Sequence, residues 1–414
     1  MEAWLHDWLS LLLRWAHFIT GVAWIGASFY FNWLENHLQR RDAATAEAAG
    51  GAGAQSPDPI GGDLWAVHGG GFYYLQKYRV APERLPETLH WFKFEAYFTW
   101  ITGFALLCVV YYWNAAIYLV GAGESSPGPL AAIGLGIGSL LASWVFYHVL
   151  CKGFAARNPR ATALAVFAWF SALAWLLGEF LSGRAAYIHV GAAIGTVMVA
   201  NVFFVIIPAQ KELVAALREQ RPPDPAPGLE ALQRSRHNNY LTLPVLFIMI
   251  SNHYPATYGN PKAVAILMLL GVAGVGIRHY FNVRHEPGRG RLTLAASLVL
   301  LALTALLTLP RGGVASAGAG PAPSTADLAP MVAARCGACH AGQPAFPGIA
   351  AAPLGIVLGG AADLERLADR IHQVAVSART MPPGNVTGMT EDERMTLDRW
   401  YAARTEESKQ ETTR

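Results

Sequence analysis

The sequence predicts an all-α chain, a polytopic membrane bundle of about eight helices followed by a small helical domain. Of its 414 residues 53% are hydrophobic and only 14% charged, whereas a soluble domain averages about 25% charged. The apolar residues fall in blocks of about 20, the length a helix needs to cross the hydrocarbon core of a bilayer. After the last block, a tract rich in Gly, Ala, Pro and Ser sets apart a shorter stretch of ordinary polarity. A soluble enzyme is thereby excluded. A nucleic-acid surface is excluded too, because 31 basic residues stand against 28 acidic ones and no basic cluster is interleaved with aromatics.

Taken in order, the apolar runs predict spans at 8–33, 92–118, 128–150, 161–182, 184–208, 237–258, 262–284 and 290–309. Met1 to Asp7 hold no Lys or Arg, and the run that follows is longer than a signal core, so the first span is expected to remain as a membrane helix. Between the first two spans lies a loop of about 57 residues, too long for a simple connection. Its first half, DAATAEAAGGAGAQSPDP, reads as disordered, and its second, GGDLWAVHGGGFYYLQKYRV, as aromatic and packed, with Gly69 to Gly71 a tight turn. The membrane domain is set at 1–310. Residues 311–325 read as a flexible tether and 326–414 as a second domain. In that domain Thr390 and Glu393 are spaced as a capping box that opens a last helix ending near Arg404.

Basic residues cluster in alternate loops: Lys152, Arg157 and Arg160; Lys211, Arg218, Arg221, Arg234 and Arg236; Arg284, Arg289 and Arg291. These loops are expected on the cytoplasmic side, which with eight spans puts both termini and the second domain outside, in the periplasm of a bacterial inner membrane. Membrane lipid is the first partner this implies.

The strongest chemical signal is Cys336, Cys339 and His340 in CGACH. Two thiols at this spacing can form thioethers to a porphyrin while the adjacent imidazole ligates its iron, so haem c is the expected cofactor and the domain reads as a small class I-like cytochrome c. Met381, in ARTMPPGN, is the expected second axial ligand, with Pro382 and Pro383 holding its backbone. Met389 and Met395 are rivals, and His372 in LADRIHQVAV reads as a packing residue. Within the spans, His17, His189 and His253 are read as sharing one depth, where two of them could hold a haem b. The competing reading is that each hydrogen-bonds across the bundle and that Gly21 only lets helices approach. Glu179 and Arg184 are expected to pair. At the opposite edge, His68, Lys77, His90, Lys93 and Glu95 offer a base and cations, and Trp65, Phe72 and Tyr73 offer stacking surfaces, for an anionic planar substrate.

The segments LRWAHFITGVAWIGASFYFNWLENHL and GGDLWAVHGGGFYYLQKYRVAPERLPETLHWFKFEAYFTWITGF, with a bundle of this length ending in a tethered CGACH, resemble the bacterial membrane-bound urate oxidases with a C-terminal cytochrome c domain. The resemblance implies oxidation of urate to 5-hydroxyisourate in purine catabolism. It implies electron flow through haem c to a downstream cytochrome c or terminal oxidase rather than directly to dioxygen. On that resemblance, Cys336 and Cys339 attach the haem and His340 and Met381 ligate its iron. Urate loses two electrons and one haem c accepts one, so a second carrier or a tolerated urate radical is required. Two other classes stay open: an electron-relay subunit fed by quinol or a partner, and a transporter with a redox domain.

Overall fold

The structure is a computed structural model that describes residues 1–40, 60–82, 84–121, 127–153, 158–286, 288–309, 322–347, 349 and 351–412. The stretch DAATAEAAGGAGAQSPDP and most of the tether lie outside the described residues.

The larger unit is a helical bundle. Its elements are α1 (Glu2–His37), α2 (Phe94–Leu107), the short α3 (Ala115–Tyr118), α4 (Pro129–Lys152), α5 (Pro159–Phe180), α6 (Gly183–Asn201), α7 (Ile207–Arg218), α8 (Pro225–Ser251), the short α9 (Pro255–Tyr258), α10 (Ala263–Val283) and α11 (Arg291–Leu307). Among the described residues, six helical segments are long and apolar enough to cross a membrane. The expected spans at 237–258 and 290–309 fall on helices that do not meet that measure. α11 is 17 residues long, and α8 starts a dozen residues before its apolar stretch. The Asp224 side chain accepts from Ala226 N at 2.9 Å and Pro225 occupies the first turn, a strong start signal that outweighs polarity. Arg234, Arg236 and His237, read from the sequence as loop or edge residues, therefore lie inside a helix.

α6 stands at the centre. Its apolar window, counted with α7, is 72% buried, against 6% for α1, as expected of a helix apolar on every face. Small residues let its neighbours approach. Gly191 packs on Ile248 of α8, and Gly136 of α4 meets the His189 ring of α6 so closely that an added Cβ would lie 2.6 Å from Nε2. Two π-helical turns interrupt the bundle, Cys108–Tyr112 at the end of α2 and Val202–Ile206 before Pro208. The first re-aims consecutive side chains, so that Tyr111 OH donates to Asn252 Oδ1 at 3.1 Å while Tyr112 OH is bonded to His189 Nε2 at 3.0 Å.

The fold is not purely α. Strands β1 (Gln39–Arg40), β2 (Ile60–His68) and β3 (Gly71–Tyr78) form an antiparallel sheet in the order β1-β2-β3, with His68 opposite Gly71. The turn between β2 and β3 is made by Gly69 and Gly70, both at positive φ (57° and 81°), where only glycine is unstrained. Its aromatics are not packed as expected: Trp65 is 68% and Phe72 79% exposed. A run carrying aromatic residues on each side of a Gly-Gly turn was the strand signal, and reading the stretch only as packed passes over it.

The smaller unit holds α12 (Thr325–Arg335), α13 (Gly337–His340), α14 (Ala361–Arg366), α15 (Ala368–Ile371) and α16 (Glu391–Thr412). Leu328, Val332, Leu364, Ile371, Leu397 and Trp400 form its core. Thr390 and Glu393 make both arms of the expected capping box, and the helix they open runs on past Arg404. Ser324 and Asp327 cap α12 in the same reciprocal way.

Replacing Gly136 by Val is expected to destabilise the bundle by about 1–3 kcal/mol through overpacking on His189 and Tyr112. Gly138→Ala, where nothing lies within 4 Å of an added Cβ, should leave stability unchanged or raise it. Thermal inactivation of the two variants in detergent, side by side, checks this.

Candidate functional site

The four residues of the haem motif come together. α12 ends at Cys336, and the next helical turn, closed by Cys339 N and His340 N donating to Cys336 O at 3.1 and 2.9 Å, sets Cys336, Cys339 and His340 on one face. His340 is bonded through Nδ1 to Ile356 O at 2.9 Å, which fixes the ring and leaves Nε2 available to a ligand, the usual arrangement behind a metal-bound imidazole. Both cysteines are free thiols. Burial, with the neighbouring Cys339 adding to it, pushes the Cys336 thiol up to about 11, and burial also raises Cys339. Each is therefore a neutral thiol at pH 7, the form that adds across a vinyl group.

Met381 faces them. Its N–H donates to Val374 O at 3.0 Å, and its carbonyl accepts from Arg394 Nη1 at 3.0 Å. Arg394 is buried in the small domain and also donates to Ala375 O, a positioning role the sequence did not reveal. Met389, 4% exposed, belongs to the hydrophobic core, although it borders the same space, and Met395 is 47% exposed on α16. His372 is held by Asp398 at 2.8 Å and stacked on Tyr401 with ring centroids 4.1 Å apart, in keeping with the packing role read from the sequence.

Cys336, Cys339, His340 and Met381 line a single cavity of about 1980 Å³, whose opposite wall is one end of the helical bundle. A ligand pocket usually measures about 300–1,000 Å³, so this space holds a macrocycle with room left over. Two contacts close it. Gly259, just after α9, abuts Ala378, and Gly384 abuts the carbonyls of Ala116 and Ile117 on α3. These contacts flank Met381 in sequence. Two thiols, an anchored imidazole and a pinned thioether around such a cavity fit a haem c.

The membrane histidines are dispersed. His17 Nδ1 is bonded to Thr99 O at 3.0 Å and its ring lies on Gly103. His189, fully buried, bonds Ala185 O and Tyr112 OH. Gly103, against the His17 ring, and Tyr112, bonded to His189, are nine residues apart along α2 and its π turn, roughly 13 Å along a helix axis. His253 lies beyond the end of α8, on the cavity. The shared depth read from the sequence is thus corrected, because helices that begin at different levels cannot be aligned by counting from their ends. Gly103 and Gly136 are pressed on the two rings, as in the reading in which each histidine bonds across the bundle.

The substrate residues expected at the other edge do not converge either. His68 sits at the tip of the hairpin, Lys77 pairs with Glu35, His90 packs edge-on against Phe92, Lys93 lies over the rings of Trp91 and Phe94, and Glu95 is in the first turn of α2. Arg184 does not pair with Glu179. Its Nε donates to Asn252 Oδ1 at 3.0 Å and its guanidinium lies over Tyr111. Reading loops for charge also left Arg234 outside the bundle, whereas it belongs to a polar network within it. Fully buried Arg234 meets Glu230 at 3.0 Å and Asn201 at 3.5 Å, Asn201 donates to Asn238, and Arg278 donates to Asn239. The NN pair after RSRH was the available signal.

Comparison with known proteins now bears on this geometry. The model of the urate oxidase N-terminal family matches residues 3–309 of the 414. The chain belongs to that family. The match stops at the end of α11, so the small domain lies beyond it. No curated protein and no solved structure matches the chain.

If the cavity holds haem as its residues suggest, Met381→Ala should abolish the sulfur-to-iron charge-transfer band, whereas Met395→Ala should leave it intact. Visible absorption of the purified oxidised proteins reads this, and a band that survives in Met381→Ala but disappears in Met389→Ala would assign the other methionine.

Proposed function

We propose that this chain is a membrane-bound oxidase of urate whose electrons leave through a haem c in the small domain rather than passing directly to dioxygen. One observation carries the reading. In a member of the urate oxidase N-terminal family, Cys336, Cys339, His340 and Met381 line a cavity whose other wall is built by the matched helices.

Haem c, bound there, supplies a one-electron acceptor. The protein's own residues do the rest. Cys336 and Cys339 would tether the ring, and His340 and Met381 would hold its iron. Ile356 O and Arg394 hold those two ligands in place. Urate and water yield 5-hydroxyisourate, two protons and two electrons, so two successive one-electron transfers are needed for each turnover, and a downstream cytochrome c or terminal oxidase is the oxidant that resets the protein between them. His253, exposed on the cavity wall, is placed to accept a proton as water adds to the purine.

The basic loops assign the hairpin end of the bundle to the cytoplasm and the small domain to the periplasm of a bacterial inner membrane. A tag after Arg414 is expected to react with an impermeant label on intact spheroplasts and one inserted near Pro225 is not. Reaction of both from the same side would remove the assignment.

Anaerobic addition of urate to purified protein should reduce the haem, with 5-hydroxyisourate formed in proportion to electrons delivered once an external cytochrome c is present. Replacing both Cys336 and Cys339 by Ala should eliminate covalent haem in a denaturing gel and stop that transfer. A haem that stays oxidised under excess urate, yet is reduced by quinol, would make the chain an electron relay instead.

A further inference from the structure

The cavity is larger than a macrocycle requires, and its bundle wall has a chemistry of its own. An oxypurine anion is planar and edged with alternating carbonyl and N–H groups. It is best gripped by a guanidinium that can donate two parallel bonds, beside an amide. Arg184 and Asn252 form such a pair. Arg184 is the second residue of α6, whose N-terminus, capped by Ser182, adds its partial positive charge. No carboxylate pairs with Arg184 among the described residues; its Nε donates to Asn252 Oδ1 and its guanidinium also engages the Tyr111 phenol, which leaves a terminal nitrogen for a ligand. By contrast, Arg335 and Arg379, on the small-domain wall, are already paired with Glu393 and Glu391.

Asn252 is held in one orientation. Its Oδ1 accepts from Tyr111 OH at 3.1 Å and from Arg184 Nε at 3.0 Å, so its amide N–H groups remain to donate. The π-helical turn at Cys108–Tyr112 is what turns buried Tyr111 onto this atom. A guanidinium with only neutral partners at the end of an apolar bundle is costly, and such residues mark functional sites. Arg184 and Asn252 line the same cavity as His340 and Met381.

Resting on the reading above, we propose that Arg184 and Asn252 are the seat of the anionic oxypurine, on the bundle wall of the cavity and directly across from the haem ligands. Tyr111 is a positioning residue that orients Asn252. The bound purine then has one edge on the membrane domain and the other open to the haem, so electrons cross the cavity and do not travel through the bundle. The other chemistry such a cation could serve is a haem propionate, and the test separates the two.

Full-length, haem-loaded protein is compared with Arg184→Gln, Arg184→Lys, Asn252→Ala and Tyr111→Phe. Urate binding is measured by calorimetry on dithionite-reduced protein, where no turnover occurs, and haem reduction by urate is followed separately under argon. Arg184→Gln should weaken binding by about tenfold to a hundredfold, as loss of hydrogen bonds from a charged group implies. Arg184→Lys should recover part of it, and Asn252→Ala should lose less than Arg184→Gln. Tyr111→Phe should raise the urate concentration for half-maximal reduction without changing the limiting rate. The haem spectrum, midpoint potential and reduction by ascorbate should be those of the parent throughout. Wild-type binding in Arg184→Gln and Arg184→Lys overturns the seat. An altered potential with equal slowing of ascorbate and urate overturns it in favour of a propionate partner. Urate that binds the parent and loses affinity in Arg184→Gln, yet never reduces the haem, upholds the seat while refuting the oxidase reading.

Discussion

The close packing of α6 is the constraint on which the rest of the molecule depends. A helix buried on nearly every face can be surrounded only if its neighbours come near, and glycines at Gly136 and Gly191 provide that approach. The polar groups that α6 carries into the interior must then be satisfied by the surrounding helices. His189 accordingly uses Ala185 O and Tyr112 OH, and Asn201 reaches Tyr147 and Asn238. An unpaired polar group in a low-dielectric interior costs several kcal/mol, so these bonds specify one arrangement of the bundle as well as filling it.

Packing around α6 also decides what its two ends present. At one end, Arg184 emerges beside Asn252 and Tyr111. Ser182 N donates to Leu119 O and Ser182 Oγ to Tyr118 O, tying the start of α6 to the end of α3. The same α3 and the neighbouring α9 receive the loop that holds Met381. The surface that positions a cation on the bundle is thus continuous with the surface that positions the small domain. The proposed function needs that continuity, because a substrate and an electron acceptor must meet in one space.

At the other end the bundle is polar inside. Arg234, with Glu230 as its ion-pair partner, is buried where hydropathy alone would place a loop, and Arg278 is buried with Asn239 inside an expected span. The hairpin of β2 and β3 is tethered there by Lys77 and Glu35 and leaves its aromatic tip exposed. At this end His279 bonds Tyr240 and His237 bonds Tyr147, each engaged by a single phenol group.

Composition and block length by themselves determined that the chain is a helical bundle, because apolar blocks of membrane length have few other folds open to them. The CGACH turn was likewise legible, since its residues are neighbours along the chain and a single helical turn puts them on one face. So was the capping box at Thr390 and Glu393, which is also local. Hydropathy misjudged where α8 begins and hid the strands at Ile60–His68 and Gly71–Tyr78, because a capping aspartate and a turn of glycines act through the backbone and not through polarity. Only the tertiary structure decided which histidines share a level, that Arg184 turns to Asn252 and away from Glu179, that Arg394 holds Met381, and that the haem motif and the end of the bundle enclose one cavity. Each of those depends on the relative height and rotation of helices far apart in sequence, quantities set by side-chain packing across the bundle that no periodicity along one segment records.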